Sequence, residues 1–535
     1  MVAVATRRCV QAVESGVMFL SLALAAAALT AEIPEVTPGT PIVAIRVVQH
    51  DVFDLGDAET SAWFYRWADA LHVLTREGYI RSLLLFRVGD RLDPTVLAES
   101  ERLLRANGFL QPVTISAHAV AGGAEVVVET HDQWTTKLGV SVGVLGNRHH
   151  FGVAFEEDNF LGWGKQLLFD FDSSTERTTR LFQYTDPLLL GTRWQLTAAH
   201  NENSDGKGDL FSVAYPFFAR ATPRAGGVSW QRAQTTEWLY SGGEKVISGA
   251  LAERGFRLWA GFRLPLGGQT TQRLTFAIFK DERHYSGWQQ IAGGPYPTPE
   301  NVDLAGIEIG WQMQVDRWRV LRGFKVWQRQ EDVQLGPAAN VTVGFSGPTF
   351  GGDRTRVLLD GGVSVACLRG RQFSWLATGV NGRLEQGSFV DTVTHLEAGT
   401  ALTGRVGWRG RVAIDLGHEL SFDRQLTLGA LTGLRGWNPD YFDGTSRAVM
   451  NLEWRRQLTG ELLHLGVIGM VVFADAGRTW HPRVGPDTGG WRSDAGVGVH
   501  IEPTRASLVR VIRIEMAKPL GPAKGVFLVT SESLF

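Results

Sequence analysis

The sequence predicts a membrane all-β fold: an antiparallel transmembrane β-barrel of about 16 strands, preceded by one small α/β domain. Three observations favour this fold. A secretory leader opens the chain, roughly 400 residues of alternating pattern follow without a convincing helix, and aromatic residues lie near predicted strand ends. The predicted organisation is a signal peptide over 1–31, the α/β domain over 40–134 and the barrel over 135–535.

Composition excludes several classes of protein. Of the 535 residues, 44% are hydrophobic and 20% charged, which excludes a disordered chain. After the leader, no apolar run approaches the ~18 residues of a membrane-spanning helix, so a polytopic helical membrane protein is excluded. The formal net charge of −2 gives no basis for a nucleic-acid partner. Of two cysteines, Cys9 lies in the leader, so Cys367 alone cannot form an internal disulfide.

The leader has the parts of a bacterial secretory signal peptide. Arg7 and Arg8 precede an uncharged apolar core from Val17 to Leu29, and small residues follow it. That core is too short for a bilayer-spanning helix. We therefore expect general secretion and removal of the leader near residue 31.

Both helical and strand patterns occur in the α/β domain. Asp93 and Pro94 predict the N-cap and first turn of a helix, and Asn107-Gly108 predicts its left-handed stop. A glycine pair predicts the turn between the last two strands. The predicted order is strand over 42–48, helix from Trp63 to Leu74, helix from Pro94 to Asn107, and strands over 113–119 and 125–130.

From residue 135 onward, apolar and polar residues alternate with a period of two. Phe256, Leu258 and Phe262 alternate with Arg257 and Arg263, for example. In a soluble sandwich the apolar faces meet each other, whereas in a membrane barrel they meet lipid and polar faces line a wet lumen. The leader and the length of the strand region favour the barrel. Aromatic residues suited to an interface girdle are Trp163, Trp194, Trp230, Trp327, Trp408 and Trp480.

Short motifs run in a fixed order through nearly the whole mature chain. They are LFRVGDRLDP at 85–94, LLRANGFL at 103–110, VVVE at 126–129, DNFLGWGK at 158–165, YTDPL at 184–188, LRGW at 434–437, FADAG at 473–477, GVG at 496–498 and IRIE at 512–515. Together they resemble the outer-membrane assembly factor superfamily, the bacterial surface antigen barrels that include BamA and TamA. The first three resemble its periplasmic POTRA domain.

The resemblance implies a lock inside the barrel, with the tip of a long loop folded back into the lumen. Phe473 and Asp475 share the lumen face of their strand, and Arg435 on the loop supplies a planar, charge-assisted partner for Asp475. Gly436 allows close backbone approach, and Trp437 packs against Phe473. The expected lock residues are Leu434, Arg435, Gly436, Trp437, Glu453, Phe473, Asp475 and Gly477.

The same resemblance implies that the protein assists insertion, assembly or translocation of other proteins at the bacterial outer membrane, with the POTRA-like domain in the periplasm. We predict a lateral seam between the first and last strands, where a client strand can pair with exposed backbone groups. Implied partners are client outer-membrane or secreted proteins, outer-membrane lipid, and periplasmic chaperones or accessory lipoproteins. The expected seam residues are Leu138, Val140, Val142, Phe527, Val529 and Phe535.

We predict no enzyme, cofactor or metal site. The chain has no phosphate loop and no His-Glu-x-x-His motif. His149 and His150 are neighbours on a predicted strand, so they point to opposite faces and cannot easily chelate one ion. Three alternatives stay open: a two-partner secretion translocator for one passenger, a passive porin-like channel, and an orphan paralogue that handles lipid.

Overall fold

The structure is a computed structural model that describes residues 36–53, 72–145, 148–265, 268–487, 489–505 and 511–530. The predicted signal peptide and most of the predicted helix from Trp63 to Leu74 lie outside these residues. Among the residues described, no helix is long and apolar enough to cross a membrane.

A small α/β unit precedes the large sheet. Its strands form a three-stranded sheet with β3 in the centre, parallel to β1 and antiparallel to β2. Both helices bury apolar side chains against one face of that sheet, with Ile80, Leu104 and Val126 fully buried in the shared core. The elements are β1 (Ile42–His50), α1 (Glu77–Leu83), α2 (Pro94–Ala106), β2 (Leu110–Val120) and β3 (Gly123–Asp132).

The two helices differ in how well the sequence predicts them. At the start of α2, the Asp93 side chain accepts a hydrogen bond from the Thr95 backbone N–H at 2.8 Å, as expected for an N-cap. After its end, Gly108 takes a positive φ of 82°. The seven-residue α1 is not predicted, because it is too short for a helical period to stand out. Residues 72–74, the described end of the predicted first helix, are not helical.

The rest of the chain is one large antiparallel sheet, so the structure is nearly all β, as predicted. Its first eleven strands are β4 (Thr136–Leu145), β5 (Arg148–Phe160), β6 (Lys165–Ser174), β7 (Thr178–Asp186), β8 (Gln195–Asn203), β9 (Gly206–Tyr215), β10 (Arg224–Ser241), β11 (Glu244–Arg263), β12 (Thr270–Gln290), β13 (Val302–Val315) and β14 (Arg317–Leu321). The remaining ten are β15 (Glu331–Ser346), β16 (Arg356–Arg369), β17 (Gln372–Glu385), β18 (Ser388–Leu402), β19 (Val406–His418), β20 (Ser446–Gln457), β21 (Gly466–Trp480), β22 (Arg492–Pro503), β23 (Ile512–Pro519) and β24 (Val526–Thr530).

Successive strands pair with each other, except that β13 and β14 both pair with β15, and β24 pairs with β4, so the sheet closes on itself. The short β14 continues β13, since both pair with β15 at different levels. With β13 and β14 counted as one, the described residues form 20 strands around the sheet, more than the expected number of about 16, which assumed about 25 residues per strand with its turn. The expected number is wrong because turns are short: Gly242-Gly243 alone, both with positive φ, joins β10 to β11.

The closed sheet exposes apolar side chains on its outer face and buries charged ones inside, which is the reverse of a soluble protein. On β23, Ile512, Ile514 and Met516 are exposed on the outer face, with Met516 at 64%. The intervening Arg513 and Glu515 are buried in the interior, at 4% and 2%. Buried charges need partners, so the interior must carry a network of ion pairs.

Four of the six tryptophans expected near strand ends are exposed: Trp163, Trp194, Trp230 and Trp408. Trp480 is half-buried at the end of β21. Trp327 does not fit the predicted girdle, because it is buried inside the closed sheet, on a segment between β14 and β15. Period-two alternation cannot distinguish a strand-end tryptophan from one on a turn that folds inward.

Candidate functional site

The long connection between β19 and β20, residues 419–445, folds back into the interior of the closed sheet. Two backbone hydrogen bonds of 2.8 and 3.0 Å between Leu428 and Phe442 join its two halves. Leu428 and Leu434 are fully buried against strand residues such as Val449. The connection is therefore a packed inward loop, which we call the lumen loop.

A tight turn at the tip of the lumen loop directs the Arg435 side chain towards the inner face of the closed sheet. The Gly429 carbonyl accepts hydrogen bonds from the backbone N–H groups of Gly433 and Leu434, at 3.1 and 2.9 Å. Gly433 has a φ of 123°, and a Cβ there would lie 2.4 Å from Cγ2 of Val449. Only glycine combines a positive φ with the absence of a Cβ, so the turn requires glycine at position 433.

Arg435 forms the centre of a buried ion network. Its Nε and Nη2 donate to Oδ2 and Oδ1 of Asp475 at 2.8 and 3.0 Å, which is a bidentate pair. Its Nη1 donates to Oε2 of Glu453 at 3.1 Å and lies 3.6 Å from Oε1 of Glu515. All four side chains are at most 3% exposed. Because the carboxylates come from β20, β21 and β23, one arginine ties the loop to three strands.

Two further groups extend this network along the wall. Arg409 on β19 donates to Oε1 of Glu453 at 2.8 Å and lies directly opposite it in the register. His500 on β22 shares a 2.8 Å hydrogen bond with Glu515. Neither residue is predicted from the sequence; their inward alternation on strands next to Glu453 and Glu515 is the signal that could have found them.

The aromatic contacts of the loop differ from those expected. Phe473 lies under the Arg435 guanidinium, whose Cζ is 3.4 Å from the ring centroid. Trp437 packs instead against Tyr441 and Phe442 of its own loop, with ring centroids 5.1 and 4.8 Å away. The expected Trp437–Phe473 contact is thus replaced, because the arginine occupies the face of Phe473.

Gly436 and Gly477 lie where other groups come close. A Cβ on Gly436 would lie 2.5 Å from Cβ of Asp494, and a Cβ on Gly477 would lie 3.0 Å from the carbonyl oxygen of Ala448. The loop backbone at 436 therefore rests directly on β22. The structure brings all eight expected lock residues to this region.

Replacing Gly436 with alanine is expected to displace the lumen loop, because the Cβ of Asp494 cannot rotate away from the new methyl group. We expect a loss of about 1–3 kcal/mol in the free energy of unfolding, in the range of overpacking substitutions. Denaturant unfolding in detergent micelles measures it. Gly460→Ala is the matched control, since nothing lies within 4 Å of a Cβ there. Equal stability of both variants would contradict the close packing.

A second segment enters the interior from the opposite end. Residues 322–330, between β14 and β15, place Trp327 and Gln328 so that their backbone N–H groups donate to Glu502 at 2.5 and 3.0 Å. Arg455 on β20 donates to the backbone carbonyl of Lys325 at 3.0 Å and to those of the two preceding residues. Arg455 and Glu453 are two residues apart on one inner face, so both inward segments meet on β20.

The second segment also contacts the α/β unit. Arg329 donates to the Gln111 side chain at 2.9 Å and to the Gly108 carbonyl, both just after α2. Arg105 of α2 pairs with Asp332 on β15 at 2.7 Å. These contacts place the α/β unit against the end of the sheet from which residues 322–330 enter. The sequence does not predict this inward segment, because nothing in the composition of residues 322–330 marks a turn that folds inward.

The Asn-Phe-Leu-Gly stretch expected at the start of the barrel lies at this junction. Asn159 donates to the Thr75 hydroxyl at 2.8 Å, and Thr75 donates through its N–H and hydroxyl to Asp132 at 2.8 and 2.7 Å. Burial raises the pKa of Asp132 to about 6, against the lowering effect of the Thr75 hydrogen bonds. Burial alone would lower the pKa of His72, but its hydrogen bond to Asp51 and the charge of Asp132 raise it.

The expected seam residues lie on β4 and β24. Leu138, Val140 and Val142 occupy β4 opposite β5, Phe527 is exposed on the outer face of β24, and Val529 lies opposite Val144 of β4. Phe535 lies outside the described residues.

The run Gly139-Val140-Ser141-Val142-Gly143 matches the Gly-x-Ser-x-Gly pattern of hydrolases. It lies within β4, however, and not on the strand-to-helix turn that a nucleophile elbow requires. This run therefore gives no support to an enzymatic site.

Comparison with known proteins gives similarity at the level of solved structures. No protein-family model and no curated protein matches the chain. The fold is similar to BamA from Haemophilus ducreyi lacking POTRA domains 1–3, with 14% identity, 91% of this chain and 83% of that chain covered, and a TM-score of 0.31. It is similar to CdiB from Acinetobacter baumannii (10% identity, 93% and 90% covered, TM-score 0.40) and CdiB from Escherichia coli (14%, 91% and 75%, TM-score 0.41). Because these TM-scores are below 0.5, the similarities carry no weight in the assignment of function.

Proposed function

We propose that the closed sheet is a transmembrane β-barrel of the bacterial outer membrane that assists insertion, assembly or translocation of other proteins. The α/β unit is a POTRA-like domain in the periplasm. The join between β4 and β24 carries the proposal. There the first and last strands of the sheet meet, with Leu145 opposite Leu528 and Val144 opposite Val529.

The reversal of polar and apolar faces supports the membrane location. Exposed Met450, Leu452 and Trp454 on the outer face of β20 would each cost free energy in water, and hydrocarbon removes that cost. Glu453 and Arg455, which alternate with these residues along β20, are buried in the interior, where lipid cannot reach them. A soluble protein would place these two sets of side chains the other way round.

The lumen loop contacts both sides of the seam. On one side, Ala430 packs in a buried cluster with Val526 and Leu528 of the last strand. On the other, Asp440 accepts a hydrogen bond from Arg148, the first residue of β5, at 2.8 Å. A loop held by the Arg435 network therefore also holds β24 and the first hairpin together.

The mechanism follows from these contacts. Parting β4 from β24 breaks the backbone pairs between them and exposes two strand edges with unpaired N–H and C=O groups. A client strand can add to either edge by backbone hydrogen bonding, and that pairing supplies the free energy. No residue needs to perform covalent chemistry, so the proposed activity is not enzymatic and uses no cofactor.

The filled interior argues against a passive channel. The lumen loop and residues 322–330 meet on β20 from opposite ends, at Glu453 and Arg455. An open pore would need both segments to move. A translocator that exports one dedicated passenger would need the same movement, and it is the alternative that the following experiment separates.

Depletion of the protein followed by quantitative proteomics of the outer membrane tests the proposal. We expect the abundance of several β-barrel proteins to fall, because their last strands no longer find an edge to pair with. Loss of a single secreted passenger with an unchanged set of barrels would favour the translocator. No change in either set would contradict both roles.

A further inference from the structure

Two histidines and a glutamate come together on the α/β unit, away from the lumen loop. His50 ends β1 and lies opposite His131 of β3 in the parallel register, and Glu129 precedes His131 by two residues on the same face. Nε2 of His50 lies 2.9 Å from Oε1 of Glu129, and Nε2 of His131 lies 3.9 Å from the same oxygen. One nitrogen or oxygen atom from each residue lies within 4.8 Å of the other two.

We propose that His50, Glu129 and His131 bind a divalent transition-metal ion of the Zn²⁺ type. Imidazole nitrogen and carboxylate oxygen are ordinary zinc ligands, and three protein ligands leave the fourth tetrahedral position for water. Ligand atoms about 2.1 Å from a tetrahedral ion lie about 3.4 Å apart. The two separations from the Glu129 oxygen bracket that value, so small side-chain rotations would complete the site.

The backbone already holds the ligands in place. The two imidazole rings stack with centroids 4.2 Å apart and an angle of 12° between their planes, because their strands are hydrogen bonded to each other. Their side chains are partly exposed, at 42% for His50 and 34% for His131, so an ion can enter from solvent and keep a water ligand. The Glu129 carboxylate supplies an anionic oxygen beside two imidazole nitrogen donors, a donor set that suits a cation of this type.

A bound ion would join the ends of β1 and β3. β3 ends at Asp132 and β4 begins at Thr136, so the site lies just before the chain enters the closed sheet. The ion would therefore hold the two strand ends together at the junction between the α/β unit and the sheet. The sequence does not predict this site, because His50 and His131 are far apart in the chain and only the parallel pairing of β1 with β3 brings them together.

Titration of the metal-stripped mature chain in detergent micelles with Zn²⁺, followed by calorimetry, tests the proposal. The chain must carry no polyhistidine tag. We expect saturable binding of one ion, weakened about tenfold or more by His50→Ala, by His131→Ala and by the nearly isosteric Glu129→Gln, since even residues that only support a ligand contribute that much. Substitution with Co²⁺ should give the visible absorption of a tetrahedral ion, and the same variants should abolish it.

His118→Ala is the matched control. His118 lies on the neighbouring strand β2, on the same face of the same sheet, and hydrogen bonds to Ser116 at 2.9 Å. This variant should keep the wild-type affinity. Absence of saturable binding to the wild type, or equal affinity in the His50 and His118 variants, would overturn the proposal, and neither result depends on the assembly activity.

Discussion

Replacing Arg435 with alanine is expected to lower the free energy of unfolding by about 3–5 kcal/mol, as for removal of one partner from a buried ion pair. The change leaves Asp475 and Glu453, both fully buried, without the cation that they share. The lumen loop should then detach from β20 and β21. Equilibrium unfolding by guanidinium in detergent micelles, followed by tryptophan fluorescence, measures the loss.

Two further variants serve as controls for the loss of stability in Arg435→Ala. Arg232 pairs with Asp209 at 2.6 Å on the same sheet, but its side chain is 55% exposed. Arg232→Ala should therefore cost less than about 1 kcal/mol. Arg435→Lys keeps the charge and loses the bidentate geometry, so its loss should be intermediate. If Arg435→Ala were no more destabilising than Arg232→Ala, the network would not hold the loop.

A disulfide between the first and last strands is expected to abolish the proposed assembly activity. Val144 and Val529 lie directly opposite each other, and opposite residues of antiparallel strands are close enough for a disulfide. With cysteines at both positions, oxidation holds the seam shut, so no client strand can enter. The measurement is the level of β-barrel proteins in the outer membrane before and after reduction, which should restore activity.

The crosslinking experiment requires removal of the native cysteine and a control disulfide elsewhere in the sheet. Cys367 is exposed and should first be changed to serine, so that it cannot form mixed disulfides. Val412 and Met450 lie opposite each other on β19 and β20, away from the seam, and a disulfide there should leave activity unchanged. Full activity with the seam fully crosslinked would rule out a lateral gate.

Local signals in the sequence predict some parts of the structure well. The Asp93-Pro94 helix start needs only neighbouring residues, and the alternation on β23 needs only a period of two. Arg435 and Asp475 are different, since no local pattern marks either of them, and only the resemblance of the ordered motifs to the outer-membrane assembly factors implies their pairing.

Features that depend on contacts between distant parts of the chain could not be predicted. The inward course of residues 322–330 is determined by Glu502 and Arg455, which lie more than a hundred residues away in sequence. The number of strands depends on turn lengths, which alternation alone does not give. The Arg435–Phe473 stacking depends on where the tip of the lumen loop lies along β21.

The most direct test of the central claim is whether hydrocarbon covers the outer face of the closed sheet. Refolded into lipid vesicles, the mature chain should enter the lipid fraction on flotation. A quencher attached to the lipid tails should then reduce the fluorescence of Trp454, which is exposed on that face. We expect this residue to be quenched, and the contribution of Trp454 is the part of the quenching that disappears in the Trp454→Phe variant. A chain that stays monodisperse in buffer without detergent and fails to float with the vesicles would contradict it.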